Sequence, residues 1–321
     1  MRREVTTPME SGAIEAAIAW AEAAYRACDV CPEDCRIDRF QSASGRCGLG
    51  ADARVYKEYL HFGEERRLVP SHTIYLTGCS FRCAFCSDWD AVTRPGELGV
   101  PATPEAVARR IALRRSQGAK NVNFVGGVPD VNVLAILKVL ALVPADTHVV
   151  WNTNLWSAPA LIDHMRPIVG TWLADLKFGS DACALKLARV RDHWRVLTDR
   201  LGRVPRERLV VRHLLMPGHL DCCTGPVLRW LADTMPEVPV NLMTGYHPFR
   251  LARAARSPMA HTVPAAEREA ALALFSSLPF LDRMLDGVEV EVGPDGLIPA
   301  RNAAPSLGVR GPARSSSLEI T

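Results

Sequence analysis

The 321-residue sequence lacks any apolar run of membrane-spanning length, which argues against a helical membrane protein. It also lacks the apolar core of a signal peptide. Met1-Arg2-Arg3-Glu4-Val5 leads into Ala13-Ile14-Glu15-Ala16-Ala17-Ile18-Ala19-Trp20, where interspersed glutamate makes the segment an amphipathic helix. Neither sign of charge is in large excess: the net charge is +3, so neither nucleic acid nor a membrane surface is indicated as a partner. A disulfide framework is missing as well, because the ten cysteines cluster by spacing instead of spreading along the chain. Together these absences point to a cytoplasmic protein in a reducing compartment, and 48% hydrophobic content is ample for a sizeable core.

What the sequence does contain is Thr77-Gly78-Cys79-Ser80-Phe81-Arg82-Cys83-Ala84-Phe85-Cys86, directly after the strand-like Thr73-Ile74-Tyr75-Leu76. Iron-sulphur clusters usually take four thiolates. Three converging from one short loop therefore leave one iron of a 4Fe-4S cube without a protein ligand, open to a small molecule. The alternatives are a disulfide pair or a structural zinc knuckle, although zinc needs a fourth ligand nearby and usually pairs C-x2-C units.

A second set, Cys28, Cys31, Cys35 and Cys47, has the spacing C-x2-C-x3-C-x11-C. Four such thiols can close on one zinc, hold a second iron-sulphur cluster, or cover the mouth of the fold without metal. Zinc would fasten a short segment that cannot bury enough apolar surface by itself. Cys183 falls on a helical stretch and reads as a small buried hydrophobe. The pair Cys222-Cys223 follows a proline-glycine turn near the presumed open face. It reads as local packing, with Asp221 capping a helix, or as a hydrogen donor or radical relay.

Strand-like runs recur at Ser71 to Leu76, Asn121 to Val125, Thr147 to Thr153, Thr171 to Leu176, Leu209 to Leu215 and Pro239 to Thr244. Helical apolar spacing fills the connectors, including Val131 to Leu142 and Cys183 to Asp199. Thr103 is placed as an N-cap with Pro104 at the first helical position. Six βα units predict an α/β fold with a parallel sheet and an active site at the carboxyl ends of the strands. The cysteine loop sits at such an end. The expected organisation is an N-terminal helix and cysteine-rich extension over 1–70, the main domain over 71–300, and a disordered tail over 301–321 rich in Ala, Pro, Ser and Gly.

The C-x3-C-x2-C run resembles the defining motif of the radical S-adenosylmethionine (SAM) superfamily. That resemblance implies a partial (β/α)6 barrel and a 4Fe-4S cluster whose open iron takes the amine and carboxylate of SAM. It also implies reductive cleavage of SAM to methionine and a 5'-deoxyadenosyl radical, which abstracts hydrogen. Gly126-Gly127, ending the second strand, match the glycines that meet the SAM amino group, with Val128 where the family often has glutamate. Val149-Val150-Trp151-Asn152-Thr153-Asn154 and Leu173-Ala174-Asp175-Leu176-Lys177 look like segments of glycyl-radical-activating enzymes such as pyruvate formate-lyase-activating enzyme. By that likeness Asp175 accepts hydrogen bonds from the SAM ribose or amine and Lys177 holds its carboxylate. Asn152 stands where those enzymes carry aspartate in a cation site.

Val211-Arg212-His213-Leu214-Leu215-Met216-Pro217-Gly218-His219 and Asn241-Leu242-Met243-Thr244-Gly245-Tyr246-His247-Pro248 narrow the resemblance. With the N-terminal cysteines, they are similar to the pyruvate formate-lyase-activating-enzyme-like radical SAM proteins from about Cys28 to Tyr246. His247 matches a histidine that touches the SAM nucleoside, and Arg212 and His213 point to the barrel mouth if their strand ends there. A buried, hydrogen-bonded core histidine is the other reading of both His213 and His247. The implied function is hydrogen abstraction from a protein, peptide or small molecule, with a reduced flavodoxin or ferredoxin as electron donor. A glycyl-radical-enzyme activase is one form of it; a maturase for a cofactor or peptide, or a non-catalytic electron-transfer protein, is the alternative.

Overall fold

The six runs of apolar and β-branched residues form parallel strands, each followed by helix, and the helices cover one face of the resulting sheet. The computed structural model describes residues 9–10, 12–63, 65–254, 256–293 and 295–298. Met1 to Val5 and the tail expected to be disordered over 301–321 lie outside them. In chain order the elements begin with α1 (Ala13–Arg26), β1 (Arg54–His61), β2 (Ser71–Leu76), α2 (Trp89–Thr93) and β3 (Val100–Pro101). There follow α3 (Pro104–Ser116), β4 (Asn121–Val125), α4 (Val133–Leu140), β5 (Val149–Thr153), α5 (Pro159–Met165) and β6 (Thr171–Asp175). Next come α6 (Asp181–Ala188), α7 (His193–Arg203), β7 (Leu209–Leu214), α8 (Gly225–Thr234) and β8 (Val240–Met243). The described elements close with α9 (Arg250–Ala254), α10 (Ala265–Ser277), β9 (Arg283–Leu285) and β10 (Val288–Glu289).

The strands lie in one ten-stranded sheet in the order β10-β9-β8-β7-β6-β5-β4-β2-β1-β3. Neighbours from β2 through β9 run parallel, while β1, β3 and β10 pair antiparallel at the two edges. The fold is α/β with a parallel sheet, as expected, and four strands lie beyond the six expected ones. The sheet begins at Arg54, ahead of residue 71. A strand as charged as β1 is tolerated there because Glu58 meets His72, Arg110 and Arg114 at 3.0, 2.5 and 3.3 Å. α3 begins at Pro104 as expected, yet the Thr103 side chain makes no capping bond.

Side chains alternate across each strand, and the two faces differ accordingly. Ile74, Phe124, Trp151, Trp172, Val211 and Leu242 point to the helices and join one large core. Full burial of each contributes about 1.5–3 kcal/mol. On the opposite face Val150, Leu173, Val210 and Met284 form a small apolar floor with Leu68. Two residues further along the same strands, at the carboxyl end, come Asn152, Asp175 and Arg212. The floor is dry and the layer above it is polar. α1 packs on α4 and α5. Its Tyr25 hydroxyl donates to the Val131 carbonyl at 3.0 Å, and Trp20 stacks on His164 at 4.9 Å. Among the described residues no helix is long and apolar enough to cross a membrane.

Candidate active site

The loop carrying Cys79, Cys83 and Cys86 leaves the carboxyl end of β2 and folds back across the sheet. Gly127 explains how closely it packs: at φ +47 a side-chain Cβ would stand 1.9 Å from the Gly78 carbonyl oxygen. Gly126, at φ +70, leaves no room beyond Tyr75 in the same way. Gly127 is thus required by contact with the start of the cysteine loop and Gly126 by contact with Tyr75 on β2, and the pair brings two backbones together beside that loop. The Val128 N–H then donates to the Gly78 carbonyl at 3.1 Å, and the Asn132 amide donates to the Thr77 carbonyl at 3.0 Å. Aromatic rings enclose the loop. Phe81 meets Trp156 at 5.7 Å, and Phe85 meets Tyr246 at 5.9 Å and Phe178 at 6.3 Å.

Such enclosure disfavours a bare thiolate. Burial pushes the Cys79 thiol up to about 12 and Cys86 up to about 11, and raises Cys83 as well. The Lys177 ammonium acts in the opposite sense on all three. A positively charged iron centre reverses that balance outright, because a coordinated thiol gives up its proton. Three soft sulphur donors in a dry loop, with a cation beside them, fit an iron-sulphur cluster.

The polar layer adjoins this loop. Arg212 donates to Asp175 Oδ1 at 2.7 Å and to Asn152 Oδ1 at 2.6 Å, and Lys177 pairs with Asp175 Oδ2. Burial alone would raise the Asp175 pKa, but Arg212 and Lys177 more than reverse this and hold it at about 2. Asn152, Asp175 and Lys177 therefore belong to one network, centred on an arginine to which the sequence assigned no partner.

Arg212 and His213 do not point the same way. As neighbours on β7 they fall on opposite faces. His213 is fully buried, with Nδ1 2.7 Å from the Leu176 carbonyl and Nε2 2.9 Å from Thr224 Oγ1. Burial pulls its pKa down to about 4, so the ring is neutral and both nitrogens are engaged within the fold. His247 is exposed on the loop after β8. That loop meets the cysteine loop through Tyr246 against Phe85, and α9 directly after it donates the Ala252 N–H to the Ala84 carbonyl at 2.9 Å.

Cys28, Cys31, Cys35 and Cys47 gather near one another: burial first, and the neighbouring thiols second, raise the pKa values of Cys28 and Cys31, with the buried Arg39 guanidinium beside Cys28 and Cys47. Arg82 ties this segment to the cluster loop, donating to the carbonyls of Cys79, Phe81 and Arg46 at 2.5, 2.8 and 2.5 Å. Two polar residues at the strand ends escaped the sequence reading. Asp130 accepts from Thr153 at 2.5 Å and from Ser157, and Asn154 reaches Cys79 Sγ at 3.9 Å. Asn154 stood in the quoted Asn152-Thr153-Asn154 run without a role of its own.

A family model described as Radical SAM superfamily matches residues 73–231, from β2 into α8. A Methanocaldococcus jannaschii protein named Uncharacterized protein MJ0674 is 35% identical over 230 residues, covering 70% of this chain and 67% of its own length. Among solved structures, Streptococcus suis SuiB bound to precursor peptide SuiA aligns at TM-score 0.41 and 13% identity, over 54% of this chain and 39% of SuiB. SuiB in a second structure aligns at TM-score 0.37 and 15% identity, over 56% of this chain and 40% of SuiB. This chain spans about two fifths of the length of SuiB.

Proposed function

The chain belongs to the radical SAM superfamily, and on that premise we propose that it is an enzyme in which Cys79, Cys83 and Cys86 hold a 4Fe-4S cluster beside a SAM site. Gly126, Gly127, Asn152, Asp175, Lys177 and His247 form that SAM site in this reading. His213 is left out of it, because both its ring nitrogens are already engaged. When bound, the cluster supplies the electron that splits the SAM sulfonium into methionine and a hydrogen-abstracting 5'-deoxyadenosyl radical.

The observation that carries the reading is the Asp175 network standing at the strand ends next to the three thiols. A carboxylate held at about 2 is ionised at neutral pH. Asp175 therefore accepts hydrogen bonds from SAM hydroxyl or amine groups and does not move protons. Lys177 supplies the counter-charge for the SAM carboxylate, while Arg212 keeps Asp175 in place from behind. The rings of Phe81, Phe85, Trp156 and Tyr246 keep water from the cysteine loop. Asp175→Ala or Lys177→Ala is expected to retain cluster absorption and to weaken SAM binding by about 1.5–3 kcal/mol, the range for a charged hydrogen bond. Calorimetry giving wild-type affinity for both variants would remove them from the site.

The substrate in this reading is a protein, peptide or small molecule, and the electron donor a reduced flavodoxin or ferredoxin. The likeness of Asn152-Thr153-Asn154 and Asp175-Leu176-Lys177 to activating-enzyme segments favours a glycyl-radical-enzyme activase. A glycyl-radical enzyme encoded beside this chain supports that reading, and its absence favours a maturase. Cys28, Cys31, Cys35 and Cys47 hold a second metal, with Arg39 balancing their charge. Changing all four to alanine is expected to remove about one zinc per chain, or about four irons if they carry a cube. Unchanged zinc and iron counts leave these thiols as packing residues.

A further inference from the structure

Four side chains outside that site come together between the loops that follow β6 and β7. Cys183 lies on α6, His219 ends the turn after β7, and Cys222 and Cys223 occupy the π-helical turn Leu220–Thr224. Among the described residues this is the group of cysteine, histidine and carboxylate side chains whose ligand atoms all fall within 4.8 Å of one another. His219 Nδ1 is 3.5 Å from Cys183 Sγ, 3.2 Å from Cys222 Sγ and 3.9 Å from Cys223 Sγ, and the Cys183 and Cys222 sulphurs are 3.5 Å apart.

Those spacings match one ion. With Zn–S near 2.3 Å and Zn–N near 2.0–2.1 Å, a tetrahedral site has sulphur-to-nitrogen edges of about 3.5 Å and sulphur-to-sulphur edges of about 3.8 Å. A 4Fe-4S cube puts each ligand on a different iron and so needs its ligands farther apart. We propose that Cys183, His219, Cys222 and Cys223 form a closed, four-coordinate structural zinc site that clasps the two loops together. It stands on these four residues alone and holds whatever reaction the chain performs.

The surrounding backbone is set for the site without help from an ion. The N–H groups of Cys223 and Thr224 both donate to the His219 carbonyl, at 3.0 and 3.1 Å, and this widened turn brings positions 219, 222 and 223 to one side. The Glu267 carboxylate accepts from the N–H of Gly218 at 2.8 Å and of Leu220 at 3.3 Å, while Ser180 Oγ caps the Cys183 N–H at 3.2 Å. The facing loops touch: a Cβ at Gly179 would lie 2.6 Å from the Cys223 carbonyl oxygen. Cys223 is fully buried and the other three are half-buried, which leaves one side open for entry.

Zinc takes the imidazole in its neutral form and the thiols as thiolates. On binding, three protons pass from the thiols to solvent and no electron moves.

The full-length protein, purified in air with reductant, tests the site by peptide mass mapping after alkylation. Adding zinc is expected to protect Cys183, Cys222 and Cys223 together, and a chelator to expose them together. Cobalt(II) in place of zinc is expected to give tetrahedral ligand-field bands with thiolate charge transfer. The Cys183→Ser/Cys222→Ser variant is expected to hold about one zinc fewer per chain than wild type. An alkylation pattern indifferent to zinc, an unchanged zinc count, or a Cys183–Cys222 disulfide surviving reductant overturns the proposal. If the double variant does not fold, protection mapping on the wild type decides.

Discussion

Protein carrying Cys79→Ala, Cys83→Ala and Cys86→Ala is expected to release no 5'-deoxyadenosine from SAM under strong reduction, while wild type reconstituted anaerobically with iron and sulphide does. The three thiols come from one loop whose backbone is pinned by Gly127 and Arg82, so the substitution removes the donors and leaves the carbonyl contacts of Gly78, Cys79 and Phe81 in place. Circular dichroism is therefore expected to stay that of a folded α/β protein while the iron absorption attributable to this loop disappears. Nucleoside release from the triple variant at more than a trace of the wild-type rate would remove the assignment of the cluster to these residues.

The largest expected effect on stability belongs to Arg212→Met. The change keeps an apolar stem but leaves Asp175 with Lys177 alone and Asn152 without its donor. Removing one partner from a buried pair costs about 3–5 kcal/mol, and the remaining lysine places the loss near about 3 kcal/mol. Urea unfolding at pH 7 measures it, and a loss below about 1 kcal/mol would mean that Arg212 is not the hub. The pH dependence has a definite sign. The folded Asp175 pKa is lowered from 3.8 to about 2, so its contribution is complete above pH 4 and is lost as pH falls toward 2. A shift of that size is worth about 2 kcal/mol. Wild type should therefore lose about 2 kcal/mol more than Asp175→Asn over that range, and the Arg212→Met protein much less.

The strands that were legible in the sequence are those buried on both faces. Runs such as Asn121 to Val125 and Thr171 to Asp175 are apolar or β-branched and end at turns, so their pattern is complete by itself. β1 was missed because Arg54, Lys57 and Glu58 make it read as loop. The partners of Glu58, Arg110 and Arg114, lie on a helix some fifty residues away, while Lys57 pairs with Asp88 and Arg54 donates to the Leu98 and Gly99 carbonyls. The cysteine loop was legible because all three thiols sit within one short segment. Cys183 was not: it read as a core residue, and only the adjacency of β6 and β7 brings it to His219 and Cys222. The spacing His219-x2-Cys222-Cys223 was a local sign that went unused. For His213 the residue type left two readings, and strand alternation, once the register Asp175↔Arg212 was fixed, decided which face the ring took.

The docking of α1 has a consequence for the order of events during synthesis. Residues 9 and 10 bond to the carbonyls of Ala145 and Pro167, Tyr25 to that of Val131, and Trp20 lies on His164. Each partner is made more than a hundred residues after the group it meets. α1 must therefore leave the ribosome with nowhere to bind and wait, together with the four cysteines directly behind it, until β4, β5 and their helices exist. Those thiols are open to metal donors and to oxidants throughout that interval, at roughly 5–20 residues per second of elongation. Docking of this segment on α4 and α5 is a long-range step of the kind that makes folding slow.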